Sequence, residues 1–343
     1  MRKRKSLISF FSALVILPMI GCSSFGIATQ RPTATLPPPF IITTPTPTIT
    51  PTPEPPKVQC GGPEVMYLLI VGTDTRGNSY STGLADATRL VRVDFINPSV
   101  MILAFQRDLY VDIPGISQHY NITHGKLNQA YLYGTDTFKY YDGPGKGLGL
   151  LSETLKYNFG AQVDHSAAIN LQTFVKVVDA LGGIDINLPK VIDGRVKGSY
   201  DSNLYFASGE QHLNGYRTML LARLRPVGDL DRNHTQDLIL QALAKKLLNP
   251  TTLLKVPELI DAFKGSVQTD LDQTEITQLL CLAALLQPEK IQTVSFPDEL
   301  FKTKRVNDPI LGNTSVLDVD FNILKAYVQD FNNGTWPDTI PQP

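Results

Sequence analysis

VMYLLIVG, residues 65–72, is a continuous apolar run that ends in a glycine. Such a run is typical of a strand that is buried on both faces of a sheet. Two further strands are predicted after it, TRLVRVDFI (88–96) and VMILAFQ (100–106), with Asn97–Pro98 as the tight turn between them. We therefore expect the core to form around these three strands.

Helical and strand patterns alternate through the rest of the chain. The segment HSAAIN (165–170) leads into a helix that the double glycine 182–183 ends. Helices are predicted at 126–134, 147–159, 171–183, 212–225, 232–248, 253–263, 274–286 and 319–331, and strands at 184–188 and 291–296. Strands that alternate with helices indicate an α/β sandwich.

The N-terminus has the order of a secretory signal. Four basic residues at 2–5 precede an apolar run from Leu7 to Ile20, which is short for a membrane-spanning helix. Residues 1–21 are therefore predicted to be a signal peptide, and Met19-Ile20-Gly21-Cys22 resembles a lipobox with Cys22 as the lipidated residue. Ordinary cleavage and a retained signal anchor are the alternatives.

Residues 22–59 are rich in proline and threonine and carry almost no charge. A segment of this composition cannot bury a core and tends toward extended polyproline conformation. We expect it to be a linker that holds the following domain away from the membrane.

Charge and cysteine content limit the class of protein. The chain has 31 basic and 32 acidic residues, and removal of residues 1–21 would delete four basic ones, leaving a formal charge of −5. An acidic chain of this kind lacks the global basic surface of a nucleic-acid-binding protein.

With Cys22 lipidated, Cys60 and Cys281 remain as a possible disulfide in an oxidising compartment. The alternative is two unpaired thiols.

Charged and polar residues gather at the ends of the predicted strands and helices. They are Asp74 and Arg76 in the turn GTDTRG (72–77), Asp86 before the second strand, Arg107 and Asp108 after the third, Lys126 and Asn128, and finally Arg223, Arg225, Asp229, Arg232 and Gln236. Ligands of α/β folds gather at the carboxyl ends of the strands. The fixed fork of an arginine side chain suits phosphate oxygens.

Carboxylates mixed with several arginines allow two interpretations. Internal salt bridges would satisfy these charges without any ligand. Alternatively, one or two carboxylates hold Mg²⁺ together with substrate phosphates, while the arginines contact the remaining phosphate oxygens.

Nine motifs in one order resemble the LytR–CpsA–Psr family of cell-envelope phosphotransferases, from about Met66 to about Leu248. They are LLIVGTDTR, LADATRLVRVD, QRD with LYVDIPG, KLNQAY, VVDALGGIDINL, SGEQHLNG, ARLR and DLDRNHTQ. The resemblance implies a three-layer α/β/α sandwich with a mixed central sheet and a hydrophobic pocket for a polyprenyl chain. Residues 60–250 would be the catalytic domain, and residues 251–343 a helical portion that completes the same domain.

The resemblance also implies an activity. Members of the family take a glycopolymer from a polyprenyl-pyrophosphate carrier and join it to an acceptor such as peptidoglycan through a phosphodiester. Asp74 and Asp86 match the metal-binding acids, with Mg²⁺ as the cofactor, and either acid could also deprotonate the acceptor. The phosphate-contacting cations are matched by Arg76, Arg107, Lys126, Arg223, Arg225 and Arg232, and a polar partner of the head group by Gln236. Asp108 and Asp229 also match, as residues that orient arginines.

Two departures from the family pattern are visible. Gln106 stands where proline usually precedes the arginine, and Thr235 stands where a second arginine is common. The second change removes a positive charge near the head group and so bears on the charge of the substrate or on the rate.

Two other functions remain open. One is a secreted Mg²⁺-dependent phosphohydrolase of polyprenyl pyrophosphates, and the other is a non-catalytic lipid-binding regulatory module. In each case we expect a protein on the outer face of the cell membrane with no nucleic-acid partner. Helices 147–159, 171–182 and 274–286 are candidate linings of the lipid pocket, although their apolar faces equally suit a core.

Overall fold

The computed structural model describes residues 57–75, 77–196, 200–225 and 229–338, without the side chains of Asp229 and Leu253. The predicted signal peptide, Cys22, almost all of the linker and Arg76 lie outside the described residues. Residues 55–343 belong to one compact unit.

The described residues contain fourteen strands. These are β1 (Val65–Thr73), β2 (Ala85–Asp94), β3 (Ser99–Phe105), β4 (Tyr110–Asp112), β5 (His124–Lys126), β6 (His165–Asn170), β7 (Ile184–Leu188), β8 (Ile192–Asp193), β9 (Tyr205–Phe206), β10 (Gly209–Leu213), β11 (Val267–Thr269), β12 (Ile291–Ser295), β13 (Lys302–Asp308) and β14 (Gly312–Asp318).

Nine α-helices occur in the same ranges. These are α1 (Leu127–Gly134), α2 (Lys146–Phe159), α3 (Leu171–Ala180), α4 (Gly215–Arg223), α5 (Asp229–Leu247), α6 (Pro250–Leu253), α7 (Val256–Ala262), α8 (Gln273–Leu285) and α9 (Phe321–Asn332). No helix in the described ranges is both long enough and apolar enough to cross a membrane.

Six strands form the central sheet in the order β11-β6-β1-β2-β3-β12. Strand β1 pairs antiparallel with β2 and parallel with β6, and β3 pairs parallel with β12, so the sheet is mixed. The first apolar run of the sequence thus lies in the interior of the sheet, as predicted. Strands β11 and β12 show that residues after 250 complete the same sheet.

The two faces of the sheet are covered by different helices. On one face, Leu69, Leu90 and Leu103 are fully buried in a cluster with side chains of α1, α2 and α9. On the other face, Met66 and Leu68 belong to one apolar cluster with Leu282 of α8. The chain therefore adopts the predicted α/β/α sandwich with a mixed sheet. A third apolar cluster joins α3, α4 and α5 to strands β7 and β10.

Several parts of the chain differ from the sequence-based prediction. Strands β4, β5, β8 and β9 were not predicted, and the helix predicted at 253–263 is replaced by the shorter α6 and α7. The helix predicted at 212–225 begins only at Gly215, because His212 and Leu213 belong to β10 and Asn214 caps the helix through Arg217 N. The portion 251–343 is not purely helical, since β11, β12 and the hairpin β13–β14 lie in it. The hairpin was missed because KTKRVND (302–308) has no apolar face that would mark a strand.

A disulfide joins Cys60 to Cys281, with the two Cα atoms 5.8 Å apart. It ties the start of the described domain to α8. In this helix only Leu282 is buried among the described side chains, so Cys281 lies on an exposed surface and not in the apolar interior.

Candidate active site

Asp86 lies where the pairing of β1 and β2 is interrupted. Gly72 pairs with Ala87 and Thr73 pairs with Ala85, so Asp86 is the extra residue of a bulge at the end of the two strands. A bulge turns a side chain out of the regular alternation of the strand. The Asp86 side chain is directed toward Arg107, which follows β3.

Arg107 connects two carboxylates. Its Nη1 donates to Asp86 Oδ1 at 2.6 Å, and its Nε donates to Asp108 Oδ2 at 3.3 Å. Asp108 in turn accepts a hydrogen bond from Lys126 Nζ at 2.9 Å. Asp86, Arg107, Asp108 and Lys126 therefore form one chain of alternating charges, which we call the charge chain.

A cavity of about 810 Å³ opens beside the charge chain. Four cationic side chains line it, and further lining comes from the hairpin β13–β14. The cations are Arg107, Lys126, Lys190 and Arg225. Leu317 N of β14 donates to Asp108 O at 2.8 Å, so the hairpin is attached directly to the QRD motif. Asp108, Asp231 and Asp298 line the cavity as well, so its four cations exceed its carboxylates by one. This small net positive charge suits an anionic ligand such as a phosphate.

Helix α5 brings a second group of residues to the same end of the sheet. Arg232 is 2% exposed, and its Nη2 donates to the backbone oxygen of Asp86 at 3.2 Å. Gln236, one turn later, accepts from Arg89 Nη2 at 3.1 Å and donates to Ala222 O at 3.1 Å. Through these two hydrogen bonds the Gln236 amide links α5 to β2 and to α4.

Arg89 and Asp237 form an ion pair under α5. Arg89 Nη2 lies 3.1 Å from Asp237 Oδ1, and both side chains are almost fully buried. Burial raises the pKa of Asp237 above its usual range, and the nearby Arg89 charge opposes that rise. Burial likewise lowers the pKa of Arg89, but an arginine keeps its charge in a protein. The ionised pair therefore persists at neutral pH because each charge compensates the other.

Asp74 directly follows β1, and Asp86 lies near the start of the adjacent strand β2. Its Oδ1 accepts from Leu84 N at 2.7 Å, and its own N donates to Leu84 O at 3.3 Å. The two acids thus stand at the ends of adjacent strands, each fixed through one oxygen. Carboxylate oxygens are ligands that suit Mg²⁺. No group of three or more histidine, cysteine, aspartate or glutamate side chains that could hold a metal ion occurs among the described residues.

A buried amide provides a further polar atom near the charge chain. Asn128 is 3% exposed, and its N donates to Arg107 O at 3.1 Å. Within the described residues, no donor reaches its Oδ1.

The predicted site residues fall into three groups. Asp86, Arg107, Lys126, Arg225 and Arg232 lie along the charge chain, its cavity or the backbone of Asp86. Asp74 and Gln236 lie nearby but bond to other parts of the protein, and Arg223 is an exposed residue at the end of α4. Arg76 and the Asp229 side chain lie outside the described residues.

Sequence reasoning missed the pair Arg89–Asp237 and the lining residue Lys190. Arg89 had a detectable signal, because it shares a face of β2 with Val91 and Val93, where a charge needs a buried partner. Lys190 had no signal, since its approach to Asp231 at 2.6 Å depends on tertiary structure.

Comparison with known proteins identifies relatives of the whole domain. The regulatory protein MsrR of Staphylococcus aureus (strain COL) is 27% identical over 270 residues, or 77% of this chain and 73% of MsrR. A polyisoprenyl-teichoic acid–peptidoglycan teichoic acid transferase, TagU of Oceanobacillus iheyensis, is 28% identical over 220 residues, or 63% of this chain and 62% of TagU.

The fold has solved counterparts. The crystal structure of B. subtilis TagV matches with a TM-score of 0.60 at 24% identity, covering 80% of this chain and 99% of that one. The model of the LytR_cpsA_psr family matches residues 54–329, which include every element of the central sheet and the charge chain. The chain therefore belongs to the LytR_cpsA_psr family.

Proposed function

We propose that this protein transfers a glycopolymer from a polyprenyl-pyrophosphate carrier to a cell-envelope acceptor such as peptidoglycan. The observation that carries the proposal is the cavity with four cationic side chains beside the charge chain. The name of TagU, a teichoic acid transferase acting on peptidoglycan, supports the same class of reaction.

The reaction exchanges one phosphorus–oxygen bond for another. An acceptor hydroxyl attacks the phosphorus that carries the glycan, and the bond from that phosphorus to the bridging oxygen breaks. Polyprenyl phosphate leaves, the glycan becomes joined to the acceptor by a phosphodiester, and the hydroxyl proton passes to a carboxylate. Arg107, Lys126 and Arg225 would stabilise the charge on the phosphate oxygens, which is the main contribution a protein makes to phosphoryl transfer.

Asp74 and Asp86 are the residues that would hold Mg²⁺, as the acids at the ends of adjacent strands. The ion would neutralise pyrophosphate charge when bound. The same two carboxylates are the candidates for the proton acceptor. Arg107 holds Asp86 Oδ1, so the orientation of that carboxylate depends on the charge chain.

Partial burial on one face of the sheet supports a site for the polyprenyl chain. The register places Ile70, Val91 and Ile102 on the face opposite to the fully buried Leu69, Leu90 and Leu103, and the first three are only half-buried. Half-buried apolar side chains also occur on α5 and α8, including Leu243 and Leu279. Of the three helices considered from sequence, 274–286 (α8) and 171–182 (α3) carry half-buried apolar side chains, whereas 147–159 (α2) is packed into the main core.

The N-terminal features complete the proposal. A signal peptide at 1–21 and a lipid on Cys22 would place the domain on the outer face of the cell membrane. The linker 22–59 would let the cavity reach a carrier whose tail lies in the bilayer.

Transfer by the purified domain, residues 57–343, is the direct test. The protein is incubated with a polyprenyl-pyrophosphate glycan, Mg²⁺ and peptidoglycan fragments, and mass spectrometry follows polyprenyl phosphate and glycan. We expect Mg²⁺-dependent transfer that is lost in Asp74→Ala. The matched control is Asp136→Ala, an exposed acid paired with Lys146, which should leave transfer unchanged.

Other outcomes would assign a different function. Release of glycan phosphate into water in the presence of every acceptor would identify a phosphohydrolase. Tight binding of the carrier without turnover would identify a binding module, in keeping with the name of MsrR as a regulatory protein.

A further inference from the structure

A second cavity, of about 380 Å³, lies between helix α5 and strand β12. We call it the α5–β12 groove. It is lined by Pro189, His234, Asp237, Leu238, Gln241, Thr293 and Ser295. Strand β12 is an edge of the central sheet, so the groove follows an open side of the domain.

The spacing of these residues explains why they converge. His234, Asp237, Leu238 and Gln241 are related by three, four and seven positions, which places them on one face of α5. Thr293 and Ser295 are two positions apart on β12 and therefore point to the same side of the sheet. The groove thus has polar side chains on both sides, from α5 and from β12.

Asp237 is held at the bottom of the groove. Its Oδ2 accepts from Ser295 Oγ at 3.0 Å, and its Oδ1 lies 3.1 Å from Arg89 Nη2. The carboxylate is thereby fixed by one residue from each of two strands. Asp237 is 7% exposed and both of its oxygens are engaged, so its part in the groove is to position the Ser295 hydroxyl.

The groove continues from the cationic cavity. His234 lines both of them, and its Nε2 lies 3.0 Å from Asp298 Oδ2, which also lines the larger cavity. A chain attached to a phosphate in the cationic cavity would therefore reach the groove past His234.

The chemistry of the lining is that of a sugar site. The hydroxyls of Thr293 and Ser295 and the amide of Gln241 can donate and accept hydrogen bonds, while Pro189 and Leu238 offer small apolar surfaces. The lysine and arginine side chains that line the larger cavity do not line this one. A neutral, hydroxyl-rich ligand thus fits better than a further phosphate.

We propose that the α5–β12 groove binds sugar residues of a glycan chain next to the phosphate at which transfer occurs. This inference rests on the proposed function, because the cationic cavity must hold that phosphate. The sugars come either from the donor glycan or from the acceptor glycan, since both present the same hydroxyl chemistry.

The variant Gln241→Ala/Thr293→Val tests the groove without disturbing the ion pair beneath it. Gln241 is exposed, and the change at Thr293 removes a hydroxyl at almost constant shape. The control is Gln292→Val, whose side chain lies on the opposite side of the same strand. Transfer is measured in two arms, one with donors carrying one or several sugars and one with acceptors of one or several disaccharides.

We expect the variant to raise KM about tenfold for the longer substrate in one arm, with kcat within about twofold, because two hydrogen bonds are lost. One-sugar donors and short acceptors should be unaffected. The arm that responds identifies the source of the sugars. Equal KM values for variant, control and wild type in both arms would overturn the proposal while leaving the transfer activity itself established.

A direct binding measurement tests the groove independently of the transfer reaction. Titration of the domain with an N-acetylglucosamine tetrasaccharide, followed by NMR, should show binding in the wild type and in Gln292→Val but not in Gln241→Ala/Thr293→Val. Such a result would support the groove even if no transfer were found. No length dependence together with no tetrasaccharide binding would exclude it.

Discussion

The stability of the fold depends on the buried ion pair of Arg89 and Asp237, because each charge compensates the other. Arg89→Met would leave the Asp237 carboxylate buried without its compensating charge, which costs about 3–5 kcal/mol of unfolding free energy. Urea unfolding at pH 7 measures this loss. The double variant Arg89→Met/Asp237→Leu should recover most of it, because both charges are then absent. A double variant as unstable as Arg89→Met alone would contradict the ion-pair explanation.

The pH dependence of Arg89→Met follows from the same pair. Burial already raises the pKa of Asp237 from 3.8, and loss of Arg89 removes the main influence that lowers it. A carboxyl whose folded pKa is raised contributes stability below its unfolded pKa and loses that contribution as pH rises through the folded pKa. The difference in unfolding free energy between wild type and variant should therefore be smallest below about pH 4 and grow toward pH 7. A constant difference over this range would assign the effect to packing.

Arg107 uses two different nitrogens to hold Asp86 and Asp108, and a lysine has only one. Arg107→Lys should therefore lower kcat for transfer by roughly 100-fold while the unfolding midpoint stays near that of the wild type. Arg195→Lys is the matched control, since Arg195 makes a similar two-nitrogen pair with Asp193 on an exposed surface. Equal activity in both variants would remove Arg107 from the catalytic group.

Helix α8 depends on few attachments to the rest of the domain. Leu282 is its buried side chain, Gln278 donates to Gly61 O at 2.8 Å, and Cys281 forms the disulfide with Cys60. Cys60→Ser/Cys281→Ser should lower the unfolding free energy by about 2–5 kcal/mol. Hydrogen exchange should increase in α8 but not in α2, which is buried in the main core. A uniform increase in both helices would mean that the disulfide acts on the whole domain.

Local patterns in the sequence were sufficient for most elements but not for those that depend on distant partners. The prediction for the first strand, 65–72, differs from β1 by one residue, because a continuous apolar run has few alternatives in an α/β fold. Residues 212–213 were assigned to a helix because their pairing with Ile184 and Asp185 of β7 is not visible locally. The Asn214 cap was a usable signal for the helix start.

The candidate site was predictable in its types of residue and less so in its connections. Strand and helix ends indicated positions near which Asp86, Arg107 and Arg232 do lie together, whereas Arg223 is exposed at the end of α4. The bulge that turns Asp86 toward Arg107, the hairpin that attaches to Asp108, and the commitment of Gln236 to Arg89 all depend on tertiary packing. These contacts determine which of the charged groups can reach one ligand.

The domain is asymmetric about its sheet, because Leu69, Leu90 and Leu103 on one face are fully buried whereas Ile70, Val91 and Ile102 on the other face are only half-buried. If the half-buried face binds the polyprenyl chain, a bulky side chain there should act only on long carriers. Ile102→Trp should lower kcat/KM about tenfold for a long polyprenyl carrier and leave a short prenyl analogue unaffected. Tyr157→Trp, on the exposed side of α2, is the control. Because partial unfolding would lower the rates with both carriers, only a loss that depends on chain length supports this face as the lipid site, and equal losses would place that site elsewhere.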